Sequence, residues 1–148
     1  MDNTDRIEKQ IVIRAPRSRV WQALTDSAQF GAWFRVALEG PFEAGTEVHG
    51  KMTYPGYEGL PFKARVERIE PEDYFSYSWP PSGGKIDRPN EPWTLVEFRL
   101  ADAEEGTLLT VIETGFDNLS PELRASELAA HTGGWETQLG NIRSYVEG

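Results

Sequence analysis

The segment 120–146 constrains the fold most, because its pattern predicts one long helix at the end of a chain otherwise rich in strand patterns. At about 100° per residue, one narrow face holds five apolar side chains, an arginine and a histidine: Arg124, Leu128, His131, Trp135, Leu139, Ile142 and Val146. Gly133-Gly134 interrupts this helix, and each glycine costs roughly 1 kcal/mol relative to alanine. A helix that only filled a dry core would have little use for this histidine and these glycines. The pattern therefore favours a helix that covers a cavity.

The remaining chain predicts strands and two short helices. Residues 6–14 alternate as a first strand, Pro16 stands early in a short helix, and Asp26 or Ser27 caps a second helix that ends at Trp33-Phe34. Alternation and turn residues predict six further strands, over 36–42, 47–54, 62–69, 74–79, 93–100 and 108–116.

An antiparallel sheet must bury one face, and the only sizeable partner for it is the terminal helix. The predicted fold class is α+β: a helix-grip fold in which a curved antiparallel sheet of about seven strands wraps around the long C-terminal helix. Two short helices follow the first strand. Because no repeat or linker divides the sequence, we predict a single domain over 1–148.

Composition excludes several function classes. The formal net charge of −9 repels nucleic acid and anionic membranes. The absence of cysteine and the presence of only two histidines argue against metal sites, and no cofactor-binding motif occurs, so we expect neither metal nor cofactor. No long apolar run predicts a membrane span, and the polar start predicts no secretory signal, so we expect a cytoplasmic protein.

Amphipathic aromatic residues suggest where a ligand would lie. Tyrosine and tryptophan bring a polar tip to an apolar wall, which suits ligand cavities, although such residues also occur in plain cores. We expect Trp135 to be the main wall contact of the ligand and His131 to be the polar group that the ligand meets. Gly134 is expected to let the helix approach the sheet closely. The expected lining of the cavity comprises Trp33, Met52, Tyr54, Phe62, Phe75, Tyr77, Trp79, Trp93, Val96, Phe98, Ile112, Thr114, His131, Trp135 and Leu139.

Two titratable residues are the candidate acid–base groups, in a chain without a recognisable catalytic set. His131 is either a core-edge histidine or a ligand-binding or proton-transfer group. Glu113 faces either the cavity or solvent, because both faces of its strand carry apolar residues. A buried, unpaired carboxylate is costly. If Glu113 points inward, we therefore expect Arg65, Arg124 or His131 beside it.

Several motifs resemble a known family. The segment 15–26, followed by Trp33-Phe34, is similar to the opening of the START/Bet v 1-like (SRPBCC) superfamily. Within it, the chain resembles the activator of Hsp90 ATPase homologue (AHSA1-like) domain proteins over 6–147. The other matching motifs are Glu70-Pro71, Tyr77-Ser78-Trp79, Leu109-Thr110-Val111, Thr114-Gly115-Phe116 and Gly134-Trp135.

The resemblance implies a deep cavity between sheet and terminal helix that holds hydrophobic or amphipathic molecules. The superfamily includes lipid and sterol carriers, hormone receptors, polyketide cyclases and bacterial stress-associated proteins. Many members carry a histidine just before the Ser/Thr-Gly-Phe motif, where this chain has Glu113. A carboxylate there would change the ligand preference.

Three functions follow as hypotheses. The first is a non-catalytic module that binds a small hydrophobic or aromatic ligand. The second is a cyclase- or dehydratase-like enzyme that uses His131, Glu113 or a tyrosine. The third is a co-chaperone-like interaction protein, ranked last because the eukaryotic co-chaperone has a separate N-terminal domain for which this sequence has no room. Exposed sheet edges are compatible with a homodimer.

Overall fold

The computed structural model describes residues 6–81 and 91–148. Within these ranges lie seven strands, three α-helices and one 3-10 turn, Phe116–Asn118. The strands are β1 Arg6–Ile13, β2 Val36–Leu38, β3 Glu47–Met52, β4 Pro61–Glu70, β5 Tyr74–Trp79, β6 Thr94–Ala103 and β7 Gly106–Thr114. The α-helices are α1 Arg17–Thr25, α2 Ser27–Phe34 and α3 Pro121–Glu147.

The seven strands form one antiparallel sheet in the order β1-β7-β6-β5-β4-β3-β2. The first strand therefore pairs with the last, and β1 and β2 are the two edges of the sheet. Because these edges are consecutive in the chain, α1 and α2 carry it from one edge to the other. The long helix α3 packs on the concave face. This arrangement confirms the predicted α+β helix-grip fold.

Local sequence explains where the first elements begin and end. Asp26 caps α2, because its side chain accepts hydrogen bonds from the backbone N–H groups of Ala28 and Gln29. Pro16 precedes α1 in an extended conformation, so the helix begins one residue later than predicted. The strand predicted over 36–42 was too long, and β2 ends at Leu38. Pro41 has no N–H to add to a ladder.

Aromatic side chains fill the space between the sheet and the helices. Neighbouring rings lie 4.8–6.4 Å apart between centroids in tilted, stacked and edge-to-face pairs. Helix α3 adds Trp135, Leu139 and Ile142, each at most 5% exposed. The inner aromatic cluster consists of Phe30, Phe34, Phe42, Phe62, Phe75, Tyr77, Trp79, Phe98 and Trp135. Most of the interior is therefore packed.

The two glycines of α3 have a different role from the one predicted. The helix runs without a break from Pro121 to Glu147, and both Gly133 and Gly134 are exposed. A Cβ atom built on either one would meet no atom within 4 Å, so neither allows a close approach to the sheet. Close approach occurs instead at Gly31, where a Cβ atom would collide with the carbonyl oxygen of Val36.

None of the helices in the described parts of the chain is both long enough and apolar enough to span a membrane.

Candidate functional site

An open cleft of about 470 Å³ lies between the middle of α3 and the end of β3 with the turn that follows it. One wall is aromatic, and the other is the solvent-facing side of α3 around its two glycines. The lining residues are Phe34, Met52, Tyr54, Tyr57, Trp79, Glu127, Ala130, His131, Gly133, Gly134, Trp135, Thr137 and Gln138.

Five residues of the predicted lining lie on this cleft: Met52, Tyr54, Trp79, His131 and Trp135. Seven others are buried in the adjoining core, because the interior behind the cleft is packed. They are Trp33, Phe62, Phe75, Tyr77, Val96, Phe98 and Leu139.

Three further residues of the predicted lining do not reach the cleft. Ile112 and Thr114 alternate with the buried Glu113 along β7 and occupy the outer face of the sheet, half-buried. Trp93 is also half-buried, and the ammonium of Lys63 lies 5.5 Å from its ring centroid.

Several lining residues were not among those predicted, above all Glu127. It stands four residues before His131 and therefore shares its side of α3, so helical spacing would have found it. Tyr57 lies in the turn after β3, and Gln138 donates a hydrogen bond to the backbone carbonyl of Phe34. Gln138 stands three residues after Trp135 on α3, so helical spacing would have found it as well, whereas Tyr57 has no periodic pattern that would mark it.

Glu113 is a fully buried carboxylate just behind the cleft wall, with a side chain that is 0% exposed. Strand register places it there: Val96 is opposite Glu113, and Thr94 is opposite Trp79 at the end of β5. The indole N–H of Trp79 and the hydroxyl of Thr94 donate to its Oε2 atom at 2.9 and 2.6 Å. The indole N–H of Trp135 donates to its Oε1 atom at 2.8 Å.

His131 completes the set of donors to this carboxylate. Its Nδ1 atom lies 2.8 Å and 2.9 Å from the two oxygens of Glu113. Its Nε2 atom lies 2.6 Å from the backbone carbonyl of Pro81 and 3.2 Å from Oε1 of Glu127. Because both ring nitrogens face only acceptors, both carry a proton, and the ring is an imidazolium.

The pKa shifts of the pair agree with this assignment. Burial alone would raise the pKa of Glu113, but the hydrogen bond and positive charge of His131, with the hydrogen bonds from Thr94 and Trp79, bring it below its ordinary value. Burial alone would lower the pKa of His131, but its bonds to Glu113 and Glu127 and their charges raise it to about 9. At neutral pH the two residues form a buried ion pair.

The partner of Glu113 is one of the three candidates expected for an inward carboxylate. Arg124 is engaged elsewhere, since its guanidinium donates to the backbone carbonyls of Asp117 and Leu119. Arg65 is exposed on β4. His131 therefore holds the position opposite the carboxylate, one turn of α3 before Trp135.

The described residues contain no group of three or more side chains that could hold a metal ion. The proline- and glycine-rich segment 80–92, between the predicted strands 74–79 and 93–100, predicts a surface loop that either covers the mouth of the cavity or only connects the two strands. Most of it, 82–90, lies outside the described residues.

Comparisons with known proteins give the same fold. A structure from Arthrobacter aurescens has 18% sequence identity and a TM-score of 0.79, with 99% of this chain and 90% of that chain covered. A protein from Mesorhizobium loti has 18% identity and a TM-score of 0.77, with 96% of each chain covered. DynU16, from the dynemicin biosynthetic locus, has 24% identity and a TM-score of 0.72. The alignment with DynU16 covers 97% of this chain but 47% of DynU16.

No curated protein matches the sequence significantly. The family model described as activator of Hsp90 ATPase homolog 1-like protein matches residues 14–147, nearly the whole chain. This chain therefore belongs to the family of activator of Hsp90 ATPase homolog 1-like proteins.

Proposed function

We propose that this protein binds a small hydrophobic or amphipathic molecule in the cleft between α3 and the end of β3. The observation that carries the proposal is the shape and lining of the cleft. A volume of about 470 Å³ falls in the range of small-molecule sites, and aromatic and aliphatic side chains dominate its walls. The family fold, which commonly holds hydrophobic ligands, supports the same function.

The two glycines of α3 support this function from the energetic side. Gly133 and Gly134 stand at the centre of a long helix, where each costs roughly 1 kcal/mol relative to alanine. Neither is required by backbone conformation or by a close neighbour. Their effect is to leave the middle of the helical wall without side chains at these two positions, which keeps the cleft open.

The contacts of His131 and Glu113 weigh against acid–base catalysis by this pair. A general base must be free to accept a proton, and a general acid must reach the substrate atom. His131 is already protonated, and both of its N–H groups are directed to protein acceptors. Glu113 is sealed from the cleft. The pair is suited to holding the wall of a binding site in place.

The first test is a ligand screen with an intrinsic reporter. Trp79 and Trp135 line the cleft, so a bound aromatic compound is expected to quench tryptophan fluorescence and to raise the melting temperature. A broad library of apolar and amphipathic compounds would be followed by both signals and by native mass spectrometry. If no compound binds or stabilises the protein, the proposal is wrong.

A matched pair of glycine variants locates the site. Gly134→Leu puts a side chain into the cleft, whereas Gly140→Leu changes a glycine of the same helix that does not line it. Leucine is a better helix former than glycine, so we expect both variants to be folded and at least as stable as the wild type. Gly134→Leu is expected to weaken binding at least tenfold, about 1.4 kcal/mol, and Gly140→Leu to leave it unchanged. Equal affinities in the two variants would place the ligand elsewhere.

A further inference from the structure

We infer that the cleft selects a cationic ligand, in which an amine or quaternary ammonium group is joined to an apolar or aromatic body. The inference rests on the proposed binding function and adds the charge of the ligand. Three independent features of the cleft carry it: the balance of charges at its polar end, the use of its hydrogen-bond donors, and the aromatic rings of its walls.

The polar end of the cleft has an excess of negative charge. Glu113 and Glu127 are two carboxylates on one imidazolium, that of His131, which leaves a net charge of −1. A neutral His131 would make the site more negative, so the sign does not depend on its protonation. Among the residues that the structure describes, no lysine or arginine lines the cleft. Within the described lining, His131 is therefore the one cationic side chain, and it is shared between Glu113 and Glu127.

An anionic ligand would find the strongest donors of the wall already used. The indole N–H groups of Trp79 and Trp135 both point to Glu113. The N–H groups of His131 point to Glu113 on one side and to Pro81 and Glu127 on the other. A carboxylate or phosphate entering the cleft would meet Glu127 without gaining any of these donors, so it would be repelled.

The aromatic rings give a cation a second attraction. The rings of Trp79 and Trp135 are stacked on one another at 5.9 Å and are at most 6% exposed, so their facing sides are closed to a ligand. The rings of Tyr54 and Tyr57, 5.9 Å apart, are the more exposed aromatic surface of the cleft. Ring faces attract ammonium groups, and the attraction grows when the ion is desolvated. The guanidinium of Arg35, outside the lining, already lies 5.9 Å from the Tyr54 ring centroid, so the ring available to a ligand ammonium is that of Tyr57, which is 50% exposed. The net charge of −9 attracts cations at longer range.

The test uses three probes with one aromatic body and different charges: (1-naphthylmethyl)trimethylammonium, 1-naphthylmethanol and 1-naphthoate. Binding to the full chain at pH 7 would be measured by calorimetry and by tryptophan fluorescence. We expect the cation to bind about tenfold more tightly than the alcohol, because the cation–π attraction and Glu127 add to the apolar contact. Naphthoate is expected to bind most weakly.

A charge-matched pair of variants assigns the preference to one residue. Glu127→Gln removes the carboxylate from the cleft but keeps an oxygen that accepts from His131. Glu104→Gln removes the same charge from the exposed turn between β6 and β7. Glu127→Gln is expected to reduce the cation-to-alcohol preference at least fivefold. Glu104→Gln is expected to keep the preference.

The outcomes separate this inference from the function on which it rests. If the alcohol or naphthoate binds as tightly as the cation, the charge preference is wrong and the binding function stands. The preference is also assigned to the wrong residue if Glu127→Gln retains it. If none of the three probes binds and the broad library gives no ligand either, the binding function itself fails.

Discussion

Glu113 and Tyr77 both place a polar group in the aromatic interior. Among the described residues, only the carboxylate of Glu113 finds hydrogen-bond partners there. The carboxylate of Glu113 accepts hydrogen bonds from four side chains, whereas the hydroxyl of Tyr77 has no hydrogen-bond partner among the described residues. Val96 stands between the two in the sheet, opposite Tyr77 on one side and Glu113 on the other. They therefore lie on the same face of the sheet, on β5 and β7, with only β6 between them.

The difference follows from what burial costs each group. A buried carboxylate loses several kcal/mol of solvation, which only a counter-charge and several donors can offset. An unpaired hydroxyl costs about 1–3 kcal/mol, which a folded domain can tolerate. Burial, and to a smaller extent the charge of Glu113, also raises the pKa of Tyr77 well above its ordinary value, so its phenol stays neutral. Charge requires a complete shell of donors, and a neutral group does not.

The largest effect on stability is expected from removing the counter-charge of Glu113. His131→Leu leaves the carboxylate of Glu113 buried and uncompensated, and we expect it to lower the free energy of unfolding by about 3–5 kcal/mol. Urea denaturation at pH 7 would measure the change. The control is His49→Leu at the other histidine of the chain, which is exposed and whose Nε2 atom lies 3.0 Å from Oε1 of Glu47. Its effect is expected within about 0.5 kcal/mol. Similar losses in both variants would contradict a special role for the buried pair.

A pH titration tests the same pair without a mutation. The pKa of His131 is raised from 6.5 to about 9 in the folded protein, so its stabilising contribution is complete below pH 6.5 and is lost as pH rises through 9. The free energy of unfolding is expected to fall by roughly 3 kcal/mol across this window.

The lowered pKa of Glu113 acts in the opposite direction, and its stabilising contribution is lost in acid, below about pH 4.5. Denaturation curves at pH 6, 7.5 and 9.5 would measure the alkaline loss, and a wild-type slope that survives in His131→Leu would rule out His131 as its source.

The smallest effect, with the opposite sign, is expected at the unsatisfied group. Tyr77→Phe removes only a hydroxyl that has no partner, so the free energy of unfolding should stay the same or rise by up to about 1 kcal/mol. Thr94→Val is the counterpart, since it removes a hydroxyl that donates to the carboxylate, and it should destabilise the protein. Both are measured by urea denaturation. If Tyr77→Phe is clearly destabilising, its hydroxyl has a partner.

The elements of the fold could be predicted from the sequence, because alternation and turn residues mark each strand separately. The orientation of Glu113 could not, since apolar residues occupy both faces of β7 and a period of two does not choose between them. The choice depends on register: β7 runs beside β6 and places Glu113 next to the ends of β5 and β6, where Trp79 and Thr94 have donors to offer. Register is a long-range property that single-sequence patterns do not contain.

The glycines of α3 show a second limit. A glycine in a helix indicates equally a tight contact or an open space, and the sequence alone does not tell the two apart. The space around Gly133 and Gly134 is set by the turn after β3, whose Tyr54 and Tyr57 face the helix across the cleft. Several predicted lining residues, such as Phe62 and Phe98, lie deeper than the cleft. A hollow interior was expected at that depth, but aromatic rings pack there.

The shell of donors around Glu113 also bears on how this protein can evolve. A single substitution at residue 113 leaves an imidazolium and two indoles without their acceptor, and a single substitution at residue 131 leaves a lone buried charge. We expect either intermediate to be destabilised, so descendants that replace one residue are expected to have replaced the other as well. Positions 79, 94, 113, 131 and 135 should therefore change as a block, and lineages that keep all five should keep the same cleft wall.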